Sequence, residues 1–283
     1  MIREKRYIRG FIIILASVII SCFKICPVQA GTANIQNGYY MIKSANGNIV
    51  LDINNNSTFN GGNLEVYKPN QGTNQIFYIQ RRGNGVYSIK VLCSNKYLHR
   101  SDDGNRTNVH QWEGYGAGNS KWNIEYSNSK GYYFIKNLAS GKYLDNTGGR
   151  TTLGNNVQLY FKNSSNAQKW KLVRVNRPQF QVRMSNSNVL SGYYNRRYLI
   201  RSSRVAGTIT SNYPVTYMTM DVYDMRGRRM YVGRSGNPNM VNFKFQCNIQ
   251  ISKLPKGRYY YRAIAYNAQG EGMGSRKYYF NVY

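Results

Sequence analysis

Gly38-Tyr39-Tyr40-Met41-Ile42-Lys43, Gly85-Val86-Tyr87-Ser88-Ile89-Lys90 and Gly131-Tyr132-Tyr133-Phe134-Ile135-Lys136 are three versions of one phrase, and the residues downstream of each repeat as well. Fourteen residues after each glycine comes the end of a Leu-Asp-like pair: Leu51-Asp52, Leu98-His99 and Leu144-Asp145. A β-prone segment then ends in an aromatic, at Tyr67, Trp112 and Tyr160, and ten positions beyond each lies another, at Phe77, Trp122 and Trp170. Internal repeats constrain architecture before any propensity argument does. Each copy is a run of short alternating segments cut by Asn, Gly and Ser, which is strand and turn chemistry without a helical period. A unit of some forty-five residues cannot bury its own apolar face. Three copies and no more imply a closed threefold object, because an open solenoid would need capping repeats.

The segments Gln75-Ile76-Phe77, Ser120-Lys121-Trp122 and Gln168-Lys169-Trp170 resemble the Gln-x-Trp signature of ricin B-chain-like β-trefoil lectins. The resemblance covers about residues 37 to 175, with repeats at 37–80, 84–126 and 130–174 inside a domain spanning 31–175. Phe77 departs from the first tryptophan and Ser120 from the second glutamine. The resemblance implies a non-enzymatic lectin for terminal galactose or N-acetylgalactosamine, with xylan-like polymers as the second candidate. In that family an aspartate accepts from two neighbouring sugar hydroxyls, an aromatic ring covers the C–H face of the sugar, and amides complete the polar rim. A pyranose demands that mixture, having one apolar face and a ring of hydroxyls.

Repeat one supplies Asp52, Tyr67, Asn74 and Gln75, with Glu65 where the family more often has an amide. Repeat three supplies Asp145, Gln158, Tyr160 and Gln168; Ala167 takes the asparagine position and leaves Asn163 or Asn166 as substitutes. Repeat two keeps Trp112 and Asn119, but His99 replaces the aspartate, Ser120 replaces the glutamine, and the gap to the aromatic shrinks from fifteen residues to thirteen. A neutral imidazole cannot offer two acceptors as a carboxylate does. We therefore expect a decayed pocket there unless Asp102 or Asp103 swings in. Gly38, Ile42, Phe77, Trp122 and Trp170 read as core or turn residues whether or not a sugar binds, and the motif glutamines read as more structural than functional. Nothing in a β-fold requires the trio Asp52, Tyr67 and Asn74.

Upstream of the repeats, Arg3, Lys5, Arg6 and Arg9 precede the apolar run Phe11 to Ile20, and Val28-Gln29-Ala30 offers small residues before Gly31. Residues 1–30 thus read as an export signal, too short and too closely flanked by charge for a good membrane span. A rival reading takes Ile19-Ile20-Ser21-Cys22 as a lipoprotein cleavage box, against which Phe23 and Lys24 are odd neighbours. Either way the expected location is outside the cytoplasm, secreted or at the cell surface. Removing these residues lowers the formal net charge only from +28 to +24. Cys93 and Cys247 then remain, far apart in sequence, so the fold must be held by its core rather than by a disulfide framework.

The repeat stops by Pro178 and the composition turns arginine-rich. Val241, Phe243, Phe245, Cys247, Ile249 and Ile251 alternate with polar residues, the period of a strand with one buried face. After Leu254-Pro255-Lys256-Gly257 a second strand places Tyr259, Tyr261, Ala263 and Ala265 on one side. Gly257-Arg258-Tyr259-Tyr260-Tyr261-Arg262, with Ala265-Tyr266-Asn267 and Gly270, is similar to the penultimate strand of bacterial immunoglobulin-like and fibronectin-III-like sandwiches. That similarity implies an all-β chain, a β-trefoil followed by an immunoglobulin-like β-sandwich over 178–283, with Tyr259 tying its corner loop back to the backbone.

Enzymatic readings fare poorly. Glycoside hydrolysis wants two positioned carboxylates, and the second region has only Asp221, Asp224 and Glu271. His99 and His110 are the only histidines, so neither a Ser/His site nor a metal-histidine site is readily built. We expect no catalytic residues, no metal and no cofactor. Residues 176–283 carry seventeen basic against three acidic side chains, with Arg226, Arg228 and Arg229 around Gly227 in a hairpin tip and Arg196, Arg197, Arg201 and Arg204 in a loop-rich stretch. Glycans or polysaccharides are the expected partners of the first half. Anionic wall polymers or acidic glycans suit the arginine-rich half, and nucleic acid is disfavoured because no recognition motif supports it. The competing reading is a surface interaction protein with a trefoil that no longer binds sugar, docking on anionic polymers or protein partners through the basic second domain.

Overall fold

The computed structural model describes residues 31–101, 107–116, 118–188, 192–194, 203–236 and 238–283. The proposed export signal, Cys22, Asp102, Asp103, Arg196, Arg197 and Arg201 lie outside the described residues. The described chain is all-β, with short 3-10 turns between strands.

The three repeats fold into one 12-stranded sheet, four strands from each. The first strand of every repeat pairs with the last strand of its predecessor, and the circle closes where Gly38–Ser44 pairs with Trp170–Val175 in the register Tyr39 to Val175. Phe77–Gly83 pairs likewise with Val86–Val91, and Trp122–Tyr126 with Tyr133–Asn137. The middle strands form a hairpin in each repeat, and the hairpins meet where Asn155–Tyr160 contacts both Leu64–Tyr67 and Thr107–Trp112. This is a β-trefoil-like arrangement. Its landmarks share one core: Ile42, Ile89 and Ile135, then Leu51, Leu98 and Leu144, then Phe77, Trp122 and Trp170 are all fully buried.

The tryptophans do more than fill volume. Trp122 Nε1 donates to the Leu98 carbonyl at 3.1 Å and Trp170 Nε1 to the Leu144 carbonyl at 3.0 Å. The indole N–H therefore pins the backbone immediately before the His or Asp of each Leu-Asp-like pair, a bond Phe77 cannot make.

The second region consists of a three-stranded sheet (Val182–Asn188, Ser203–Val215, Met240–Ile249) and a six-stranded sheet whose longest members are Tyr217–Asp224 and Gly257–Tyr266. Alternation places Phe245, Cys247 and Ile249 inward from the first sheet and Tyr259, Tyr261, Ala263 and Ala265 inward from the second, into one shared core. Tyr259 Oη donates to the Pro255 carbonyl at 2.9 Å, a tether four residues upstream. Cys93 and Cys247 are both free and buried. The hairpin tip forms at Gly227, whose φ is +80°, but two of its arginines are engaged: Arg228 pairs with Asp224 at 2.7 Å and Arg229 with Asp221 at 3.5 Å.

The two regions share apolar contacts. Ile76 and Leu92 of the trefoil belong to the core of the second region, with Tyr39 and Val175 packed against it. Arg177 forms an ion pair with Glu271 at 2.7 Å across the same junction, and Thr73 Oγ1 donates to the Asn212 carbonyl at 3.4 Å.

Candidate functional site

Asp52 stands on the strand Val50–Ile53, opposite Glu65 in the hairpin register. The short turn Thr73–Gln75 brings both motif amides behind it. Asn74 Nδ2 donates to Asp52 Oδ1 at 2.8 Å and to the Ile53 carbonyl at 3.0 Å. Gln75 Nε2 donates to Asp52 Oδ2 at 2.8 Å and to the Lys68 carbonyl at 2.9 Å, while its Oε1 accepts from the Asn70 N–H. Gly72 makes room for this: a Cβ there would lie 2.6 Å from Asn74 Oδ1 and 2.8 Å from Asn70 Oδ1.

The carboxylate is thus held by one amide on each oxygen, and each oxygen retains acceptor capacity. It opens on a recess of about 470 Å³ that Tyr67, Asn74, Glu65 and the turn Asn54–Asn56 also line. Gln75 is fully buried behind the recess and acts by orienting Asp52. Glu65 is on the wall, its Oε2 accepting from Asn54 Nδ2 at 2.7 Å. Burial pushes the Asp52 carboxyl up to about 6; the Gln75 and Asn74 bonds oppose that shift and the Glu65 charge reinforces it.

Repeat three reproduces the plan. Asp145 faces Gln158 in register, accepting from Gln158 Nε2 at 3.2 Å on Oδ1 and from Gln168 Nε2 at 3.1 Å on Oδ2. Gln168 is fully buried and anchored to the Phe161 carbonyl, as Gln75 is to Lys68. The recess, about 570 Å³, is lined by Asp145, Gln158, Tyr160 and both Asn163 and Asn166. Asn163 Oδ1 accepts from the Ser165 N–H at 3.0 Å. Burial raises the Asp145 carboxyl, and the Gln158 and Gln168 bonds lower it.

The turn after each aspartate needs left-handed backbone, and the repeats meet this differently. Asn55 and Asn56 have φ of +53° and +55°, whereas repeat three uses Gly148 and Gly149 at +66° and +64°. Asparagine and glycine are the residues that tolerate that region.

Repeat two brings the corresponding positions together in another way. His99 takes the aspartate position opposite His110, and His110 Nε2 and His99 Nδ1 lie 3.3 Å apart. Trp112 stacks on His110 with centroids 5.4 Å apart. Asn119 Oδ1 accepts from both Nε and Nη2 of Arg100, at 2.9 and 2.7 Å. Burial lowers both imidazoles from the ordinary value, with the Arg100 charge adding to the effect on His99. At these positions His99 is engaged with His110 and Asn119 with Arg100.

Some lining residues cross between repeats and carried no signal in a repeat-by-repeat reading. Gly154 of repeat three borders the Asp52 recess, and Asn46 of repeat one borders the Asp145 recess together with Arg150. Among the described residues no group of three or more His, Cys, Asp and Glu could hold a metal ion. No helix among them is long and apolar enough to cross a membrane.

The threefold sheet and its paired Asp-centred recesses define a trefoil of the lectin type. The chain belongs to the ricin-type beta-trefoil lectin domain-like family, whose profile matches residues 27–112 and 118–196, more than half of the chain. No curated protein matches it. Among solved structures, the designed threefold-symmetric protein ThreeFoil is 31% identical over 49% of this chain and 99% of its own, with a TM-score of 0.47. The Rhizoctonia solani agglutinin is 21% identical over 51% and 100% of the two chains, with a TM-score of 0.46. The C-half of an earthworm R-type lectin, solved in complex with GalNAc, is 16% identical over 49% and 99%, with a TM-score of 0.39. Family membership supports carbohydrate binding in general.

Proposed function

We propose that this is an exported, non-enzymatic lectin that holds galactose-type or related glycans in the recesses of repeats one and three. The observation that carries the reading is the Asp52 carboxylate, clamped by Asn74 and Gln75 at 2.8 Å on separate oxygens and opening beside Tyr67. A fixed pair of acceptors next to an aromatic face suits two adjacent sugar hydroxyls and the C–H face behind them. Two such recesses raise avidity on a dense glycan surface without new contacts.

The second region is proposed to be an immunoglobulin-like sandwich that spaces or anchors the trefoil. Its tyrosine tether at Tyr259 and its two sheets around one core support that assignment. Its basic surface suits anionic wall polymers or acidic glycans, with Lys277 4.6 Å over the Tyr260 ring and Arg258 5.4 Å over Tyr279 on adjoining strands. A glycan array at moderate salt separates the roles. Discrete hits displaced by free galactose support the lectin; binding only to polyanions, abolished by salt, supports docking through the second region.

A further inference from the structure

A further opening lies where the trefoil meets the second region. This cleft of about 690 Å³ exceeds those over Asp52 and Asp145, about 470 and 570 Å³. It falls within the roughly 300–1,000 Å³ typical of small-ligand sites. The trefoil contributes Thr58, Phe59, Asn60 and Lys96, and the second region contributes Tyr217 and Asn239.

Phe59 is 61% exposed and Tyr217 is 42% exposed, an unusual state for two large aromatics lining one cleft. Tyr217 is held rigidly, stacked on Tyr266 with centroids 4.4 Å apart and planes within 9°. Asn60 is also fixed, its Oδ1 accepting from the Glu113 N–H at 3.0 Å, which leaves its NH₂ to donate. Thr58 is only 7% exposed, and its Oγ1 has no hydrogen-bond partner among the described residues. Lys96, the one cation among the described residues of the lining, is paired with Glu113 at 3.4 Å.

Exposed aromatic faces, amides and hydroxyls, with the local charge already paired, match a sugar rather than a polyanion. Apart from the two rings, the only apolar side chain among the described residues of the lining is Ala268, so a hydrophobic peptide would find no aliphatic wall. We propose that this cleft is a separate binding site for a neutral oligosaccharide segment, with Phe59 and Tyr217 as stacking platforms and Asn60 and Asn239 supplying polar contacts. The site goes beyond the repeat recesses and does not depend on them. A ligand there touches both regions and so favours their docked arrangement.

The test uses the full chain carrying Asp52→Ala and Asp145→Ala, screened on an array of neutral oligosaccharides, with calorimetry on a soluble hit at physiological and high salt. The expected result is residual binding that is insensitive to salt and drops about tenfold when Phe59→Ala or Tyr217→Ala is added. Phe59 is 61% exposed, so Phe59→Ala should leave the melting curve where it is, whereas Tyr217→Ala gives up the stack on Tyr266 and is read together with its own melting curve. Complete loss of binding in the two-aspartate variant, or residual binding indifferent to both aromatic substitutions or abolished by salt, overturns the proposal. Failure of the repeat recesses reads separately, as a two-aspartate variant that binds like wild type.

Discussion

Asp52→Asn separates what the carboxylate does for the fold from what it does for a ligand. Burial pushes this carboxyl up to about 6 from its ordinary 3.8. Holding it ionised at neutral pH therefore costs about 3 kcal/mol relative to the unfolded chain. Because the folded value is raised, this carboxyl's own contribution to stability is fully present below about pH 4 and is lost as pH rises through about 6. Asparagine removes that cost but places an NH₂ against either Asn74 Nδ2 or Gln75 Nε2. Neither neighbour can flip to accept, since Asn74 also donates to Ile53 and Gln75 is fixed by Lys68 at one end and Asn70 at the other. One lost bond with an opposed donor costs about 1 to 3 kcal/mol. The two effects nearly cancel, so the melting temperature at neutral pH should equal or slightly exceed that of wild type, while its dependence on pH between about 4 and about 6 flattens. Glycan affinity should drop tenfold or more, because a charge-assisted acceptor worth about 1.5 to 3 kcal/mol is gone. Thermal melts across pH, paired with calorimetry, read both. A markedly lower melting temperature with an unchanged pH profile would refute the electrostatic reasoning.

Glycan affinity of the wild type should weaken as pH falls through about 6, where Asp52 takes up a proton and loses an acceptor site; a pH series of titrations checks this. Trp170→Ala should cost about 3 to 5 kcal/mol of stability in chemical denaturation, since it empties a fully buried site and frees the Leu144 carbonyl. The depressed imidazoles of His99 and His110 make stability present above their unfolded value of 6.5 and lost as pH falls below it, so His99→Phe should flatten that part of the melting profile. Binding of the full chain to an immobilised polyanion should fall steeply with salt, whereas binding to a neutral glycan should not.

Much of the trefoil was legible in the sequence because its constraints are periodic. The residues that recur at matching offsets, Ile42, Leu51, Phe77 and their counterparts, are those the closed core buries completely. The aspartates were legible for the same reason, and the motif glutamines prove to orient them from behind. The breaks in the repeat held information of another kind. The middle residue of the motif is Lys121 in repeat two and Lys169 in repeat three but Ile76 in repeat one, and only Ile76 is buried under the second region. Leu92 is covered there too, while Leu138 in repeat three stays exposed.

Other features could not be read from one repeat at a time. Gly154 and Asn46 reach recesses belonging to neighbouring repeats, which depends on closure of the ring. Composition suggested an arginine-rich hairpin tip available to anions, but Arg228 and Arg229 are drawn onto Asp224 and Asp221 by the hairpin's own register.

The central claim is that the Asp-centred recesses of repeats one and three hold the glycan. Calorimetry with a galactose-type ligand identified on an array, run on wild type, Asp52→Ala, Asp145→Ala and the double variant with a melting curve for each, tests it most directly. The account predicts at least tenfold weaker binding at the site opened by each substitution, and loss of recess binding in the double variant with the fold intact. Undiminished affinity for that ligand in the double variant would contradict it.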